Sequence, residues 1–324
     1  MIGHSSLTGI LTGNMKGLIL AAGKGSRLYP ITHLIPKPLL PLANRMTLDY
    51  AFEKLKGIGV TDIGVVVGEN EELMKAALGD GSSHGVSLTY IRQSEPKGLA
   101  HAVGFAESFI NRDPFVLYLG DAMYGAGFAR LKKKFEESGC ANLNLVKAVD
   151  DPSRFGVANV EGDRIVKLVE KPKKPESNLA MAGLYFFGPQ IWDVLPTLKP
   201  SARGEYEITD AIQTLIDQGE MVLAGVYTDA WFDTGTLDSF LETSSFLIEG
   251  RDRVAASSVM SGKVLANVVV GEASHVTCES IEDTVVLPGA VINVKGRIRH
   301  CILAGPVSAD GDLTNQIIHG DWKA

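Results

Sequence analysis

The chain has 324 residues, 45% of them hydrophobic and 21% charged, with a formal net charge of -7. That length admits one large domain plus a smaller one, and the composition is that of a globular chain, not a disordered or fibrous one. The negative balance argues against a nucleic-acid partner, and no apolar run reaches the ~20 residues that a bilayer crossing needs.

Lys132-Lys133-Lys134 falls in a predicted helix and reads as a solvated face. Cysteines at 140, 278 and 301 are odd in number and lack metal-ligand spacing, which fits a reducing cytoplasm. Residues 1–14 are rich in Gly, Ser and Thr and have no basic start, so they do not read as a signal peptide. They are expected to form a disordered leader, with the fold beginning at Met15.

Gly17 to Ala22 is an apolar run suited to a central strand. It breaks into Gly23-Lys24-Gly25-Ser26-Arg27 and continues to Pro30, Pro36-Lys37-Pro38 and Pro41. Two glycines let the backbone approach an anion and turn N–H groups toward it, while Arg27 and Lys37 add cations suited to a triphosphate. The spacing excludes a P-loop, because Leu18 stands where its first glycine belongs and Gly25 follows Lys24. It also excludes a dinucleotide fingerprint, because Arg27, Leu28 and Pro30 replace the third glycine and the helix it opens.

Helical spacing follows from Leu48 to Ile58, a strand over Asp62–Gly68, a helix over Glu71–Leu78 and a strand over Val86–Ile91. Gly98 to Ile110 reads as one helix and Phe115–Leu119 as a strand ending at Gly120-Asp121. Such alternation predicts a mostly parallel sheet covered on both faces, with ligands beyond the carboxyl ends of its strands. From Asn142 strands dominate: 143–148, 156–160, 165–169 and 184–187, with Glu161-Gly162-Asp163 turning a hairpin. A helix over Glu207–Gln218, a strand over Val222–Val226 and a loop over Trp231–Gly235 lead to a helix ending at Ile248. After Arg253, Val, Ile and Leu recur among Gly, Pro and Asn without helical period, suggesting either hexapeptide-like coils of a β-helix or a stack of hairpins.

Asp121 and Asp233 are each, taken alone, ordinary turn or cap residues. Together with a phosphate loop, two carboxylates suit Mg²⁺, which takes one or two carboxylates plus phosphate oxygens and water.

Leu20-Ala-Ala-Gly-Lys-Gly-Ser-Arg-Leu-Tyr-Pro-Ile-Thr32 with Lys37-Pro38 behind it resembles the signature of the sugar-1-phosphate nucleotidyltransferases. The likeness covers about Met15 to Ile248 and is nearest to glucose-1-phosphate thymidylyltransferases of the long form. It implies a Rossmann-like α/β nucleotidyltransferase domain over 15–250 and a small left-handed β-helix-like domain over 251–324.

It also implies a set of roles. Leu20, Ala22, Gly23, Gly25, Gln93 and Gly98 would hold the nucleotide, and Arg27, Lys37 and Lys171 would neutralise the reacting phosphates. Gly156, Glu170, Lys171 and Tyr185, from Phe-Gly-Val, Glu-Lys-Pro and Gly-Leu-Tyr stretches, would hold the sugar phosphate. Asp121 and Asp233, in Leu-Gly-Asp and Trp-x-Asp-Thr-Gly, would bind Mg²⁺. Arg203-Gly-Glu-Tyr-Glu-Ile-Thr-Asp210 fits the run found in the thymidylyltransferases and is also a plain helix start.

Two departures stand out: Ala122 replaces the usual Asn after Leu-Gly-Asp, and Arg45-Met46 replaces a Lys-Pro. The first leaves the sugar open between glucose and another sugar or cyclitol, and dTTP and UTP both fit Gln93. A non-catalytic relative would have lost the cations or carboxylates that this chain keeps. An acyltransferase reading of the tail lacks a histidine in a matching context. The tail is expected to assemble the protein as a homo-oligomer without reacting.

Overall fold

The computed structural model describes residues 15–321, so the leader expected over residues 1–14 lies outside them. The chain forms two compact units that do not follow chain order. One comprises residues up to Gly23, Ala51–Gly120 and Tyr124–Trp231; the other comprises Lys24–Tyr50, Asp121–Met123 and the chain from Phe232 on. Among the described residues no helix is long and apolar enough to cross a membrane.

The first unit is built on a nine-stranded sheet. Its strands in chain order are β1 (Lys16–Leu20), β2 (Asp62–Val67), β3 (Ser87–Arg92), β4 (Phe115–Leu119), β5 (Asn142–Ala148), β6 (Gly156–Glu161), β7 (Arg164–Glu170), β8 (Leu179–Phe187) and β9 (Val222–Val226). They lie in the order β3-β2-β1-β4-β8-β5-β9-β7-β6. The first four are parallel, as the strand–helix alternation predicts, with Leu20 beside Val66 on one side and Leu119 on the other. Beyond them β8 runs antiparallel to both β4 and β5, so the sheet is mixed. β6 and β7 form the expected hairpin, Glu161 facing Arg164 across Gly162.

Parallel strands buried on both faces read as continuous apolar runs, and Leu18, Ile19, Val65, Val66, Val116 and Leu117 are fully buried. Ala100, Ala102 and Val103 from one helix and Ile208, Ala211, Ile212 and Leu215 from another join Leu18 and Leu117 in one core. The helix expected over Gly98–Ile110 is two, Leu99–Gly104 and Glu107–Ile110. β8 begins at Leu179, five residues ahead of the apolar stretch that marked it.

In the second unit the tail after Arg253 is entirely parallel: Val259–Val264 lies on His275–Val286, which lies on Val291–Val294 and Arg297–Ala304. Parallel stacking at every step excludes hairpins and matches β-helical coils. Asn267, Asp283, His300 and Asn315 take left-handed backbone, φ 56, 43, 54 and 55, where successive coils turn. The tail is not an appendage. Leu28, Ile31, Leu40 and Leu42 of the glycine-bearing segment share one core with Phe240 and Leu241 of the helix Leu237–Leu247 and with Val269, Val285, Leu287 and Ile302 of the coils. Asn44 donates to the Val270 carbonyl at 3.1 Å and Arg253 to the Ala43 carbonyl at 2.9 Å. Trp231–Asp233, expected as a loop, is a short strand.

Candidate active site

Four of the expected charged residues meet within the second unit. Pro36 opens a short 3₁₀ turn, Lys37–Leu39, that points Lys37 inward until only 7% of it is exposed. Its Nζ lies 2.8 Å from Oδ2 of Asp121 and 3.9 Å from Oδ1 of Asp233. Arg27 Nη2 stands 3.9 Å from the other oxygen of Asp233. The two cations are therefore each matched to a carboxylate, which keeps the cluster close to neutral before any phosphate binds.

Thr234 fastens this arrangement. Its N–H and its hydroxyl both donate to the Asp121 carbonyl, at 3.1 and 2.9 Å. Thr236 then caps the following helix through Ser239, the two exchanging bonds in a capping box. Between them Gly235 has no room for a side chain: a Cβ there would stand 2.5 Å from Arg27 Nη2 and 2.8 Å from Asp233 Oδ1.

Partial burial raises the Asp121 carboxyl, but the charge and hydrogen bond of Lys37, with Arg27 behind, outweigh it and hold the group below its ordinary range. Among the described residues no cluster of three or more His, Cys, Asp or Glu could hold a metal. Two carboxylates around one ammonium fit a divalent cation whose remaining ligands are phosphate oxygens and water.

The residues expected to hold the sugar phosphate, Gly156, Glu170, Lys171 and Tyr185, all belong to the first unit. Gly156 pairs with Glu170 across the β6–β7 hairpin. Glu170 is a hub: it accepts from Thr209 at 3.0 Å and lies 3.3 Å from Arg203 Nη1 and 3.5 Å from Lys171 Nζ. Lys171, just past β7, takes left-handed backbone at φ 42 and bonds the Phe155 carbonyl through its N–H. A long side chain held there stores strain of the kind found at functional sites. Arg203 also reaches Glu205 and Glu207. Burial, and then the charges of Glu170 and Glu205, push the Glu207 carboxyl up against the pull of Ser201 and Arg203. Tyr185 differs from the rest: it is 3% exposed, inside β8, stacked on Phe187.

The residues of this unit that were expected to hold the nucleotide follow the carboxyl ends of its parallel strands. Gln93 directly follows β3 and bonds the Val67 carbonyl through its N–H, at 2.8 Å. Leu20 ends β1 and accepts from Gly120 at 3.0 Å; Ala22 is half-buried, and Gly23 is exposed with nothing within 4 Å of where a Cβ would be. Gly25, which opens the second unit's loop, accepts from Thr32 Oγ1 at 2.9 Å. Gly98 is obligatory: its φ is 105, and a Cβ would meet the Tyr206 carbonyl oxygen at 2.5 Å. Thr234, Thr209 and His101 were not singled out as site residues by sequence. Hydroxyls and imidazoles acting through a neighbour carry no spacing signature.

The chain matches the model of the family described as Nucleotidyl transferase over residues 16–250. It is 42% identical over 257 residues to the low-salt glycan biosynthesis nucleotidyltransferase of Haloferax volcanii, covering 77% of this chain and 72% of that one. It is 40% identical over 301 residues to glucose-1-phosphate thymidylyltransferase of Streptomyces antibioticus, covering 92% and 83%. Its fold is similar to that of UDP-glucose pyrophosphorylase complexed with UDP-glucose, with a TM-score of 0.66 and 27% identity over 72% of this chain and 98% of that one. A family match over most of the chain, joined to these relatives, places the protein in the nucleotidyl transferase family as a sugar-1-phosphate nucleotidyltransferase.

Proposed function

We propose that the enzyme joins glucose 1-phosphate to dTTP, giving dTDP-glucose and pyrophosphate. The observation that carries the nucleotidyl transfer is the Lys37–Asp121–Asp233–Arg27 cluster, two cations of the glycine-bearing loop set against two carboxylates from elsewhere in the chain. A phosphate oxygen of the sugar attacks the α-phosphorus; the bond to the bridging oxygen breaks, and pyrophosphate leaves with that electron pair. No covalent protein intermediate is required, so the chain contributes position and charge. Lys37 and Arg27 bind the triphosphate, Lys171 the sugar phosphate, and Glu170 and the Gly156 backbone the sugar hydroxyls. Asp121 and Asp233 would hold Mg²⁺, which supplies further neutralisation of phosphate charge.

Gln93 reads the base by accepting from its N3–H through the amide oxygen. Cytosine lacks the N3–H, and an unpaired buried polar group costs roughly 1–3 kcal/mol, about tenfold to a hundredfold in selectivity. The thymidylyltransferase relative and the Arg203–Asp210 run support dTTP. A second reading, with UTP in its place, rests on the likeness to UDP-glucose pyrophosphorylase. Ala122 in place of Asn widens the sugar to other sugar or cyclitol phosphates. Catalytic efficiencies with dTTP, UTP, CTP, ATP and GTP, read by pyrophosphate release, decide the nucleotide; a preference for a purine overturns the role of Gln93. Light scattering tests the expected self-association, which a single-chain mass would overturn.

A further inference from the structure

Gln93 is 7% exposed, and its amide nitrogen is already engaged. Nε2 lies 3.1 Å from Nδ1 of His101 and 3.4 Å from the Gly98 carbonyl. The imidazole is itself held. It stacks on Tyr206 with centroids 5.9 Å apart and planes at 20°, and meets Phe105 edge-on at 5.0 Å. Tyr206 is tied into the same loop: its N–H donates to the Lys97 carbonyl at 2.8 Å, and its carbonyl accepts from Ala100 at 3.0 Å.

A glutamine amide can present either end, and turned over it presents the opposite hydrogen-bonding pattern. A ring nitrogen without a proton accepts only from the NH₂ end, which leaves Oε1 for the base. We propose that His101, by offering an unprotonated Nδ1 to Nε2 of Gln93, selects the amide orientation that accepts from a pyrimidine N3–H, and so is a specificity-determining positioning residue. This rests on the reading that Gln93 meets the base. A proton on Nδ1 would compete for Oε1 against the Gly98 carbonyl, which also takes the NH₂ end, and so would weaken the orientation that accepts from the base.

The charged and titratable groups around the ring are Lys97 and Glu95 from the preceding loop, Tyr206 beside it, and Glu107, which lines the same cleft. Burial and then the charge of Lys97 hold the imidazole below its ordinary range, with Glu95 pulling the other way. Both effects disfavour a second proton on the ring, so loss of the amide orientation is expected on the acid side.

The test is the ratio of kcat/KM for dTTP to that for CTP, measured on the same protein from about pH 8 to about pH 5.5, across the imidazole range. The wild-type ratio is expected to hold at neutral pH and fall in acid. His101→Phe keeps a ring to stack but no acceptor, so its ratio should drop about tenfold at neutral pH, the lower end for an unpaired polar group, and lose its pH dependence. His101→Asn can return an acceptor oxygen that does not titrate, and should recover the ratio and hold it in acid. A wild-type ratio retained by His101→Phe, or His101→Asn as low as His101→Phe with an unchanged melting temperature, overturns the proposal. Gln93→Ala separates the two levels. If it leaves the ratio intact, base reading by Gln93 is wrong. If it collapses the ratio while His101→Phe does not, only the role of His101 fails.

Discussion

Lys37 Nζ lies 2.8 Å from Asp121 Oδ2, across 84 residues of chain. Both residues belong to the second unit, which gathers separate stretches of chain. An ammonium as buried as this one needs an anion, and Asp121 and then Asp233 provide it.

Asp121→Asn and Asp233→Asn should each keep the fold and lower turnover by about 10²–10³, the loss typical of one electrostatic partner of a transition state. Circular dichroism checks the fold and pyrophosphate release the rate. Turnover near wild type at limiting Mg²⁺ in either variant would remove that residue from the ion's ligands. Because the folded Asp121 carboxyl titrates below its ordinary value, its contribution to stability is present above the unfolded carboxylate range and is lost as pH falls through the folded value.

The tail is expected to set the shape of the phosphate loop, because Ile302 and Val285 share a core with Leu28 and Leu40. Ile302→Ala should destabilise the chain by about 2–5 kcal/mol, the range for deleting that side chain from a core. It should also lower turnover per folded chain, measured below the onset of melting. Truncation near residue 250 should reduce activity further by uncovering this core. Full turnover by a folded truncated chain would show that the loop holds its shape without the coils.

His300 stands between two carboxylates, bonded to Asp283 through Nδ1 and 2.8 Å from Asp238 through Nε2. Burial lowers its affinity for a proton, yet hydrogen bonds to Asp283 and Asp238 win and raise it. The folded value lies above the unfolded one, so the added stability is full below the unfolded range and is lost as pH rises through the folded value. The melting temperature of wild type should exceed that of His300→Gln at about pH 6, and the gap should close on the alkaline side. A gap that grows with pH would contradict a charged His300.

Arg203 is the cation shared by Glu170, Glu205 and Glu207, and Glu207 is 4% exposed. Arg203→Ala should raise KM for the sugar phosphate by about tenfold and destabilise by roughly 1–3 kcal/mol, as a buried acceptor loses its partner. The Glu207 carboxyl binds its proton more tightly folded than unfolded, so lowering pH should restore part of that stability. An unchanged KM would take Arg203 out of the sugar side.

What the sequence determined by itself is the local chemistry. The apolar run, the glycines, Arg27 and Lys37 lie within one stretch, so their spacing alone separates this loop from other phosphate loops. Strand–helix alternation sufficed for the parallel half of the sheet, because central strands need unbroken apolar residues. Distant partners were another matter. Antiparallel β8 inserted between β4 and β5, the coils sharing a core with Leu28 and Leu40, Thr234 holding the Asp121 carbonyl, and His101 turning the Gln93 amide all depend on contacts that leave no periodicity. Tail valines read only as apolar. Whether they face their own coil or the phosphate loop is decided by packing, since burial rewards apolar surface without regard to which chain segment covers it.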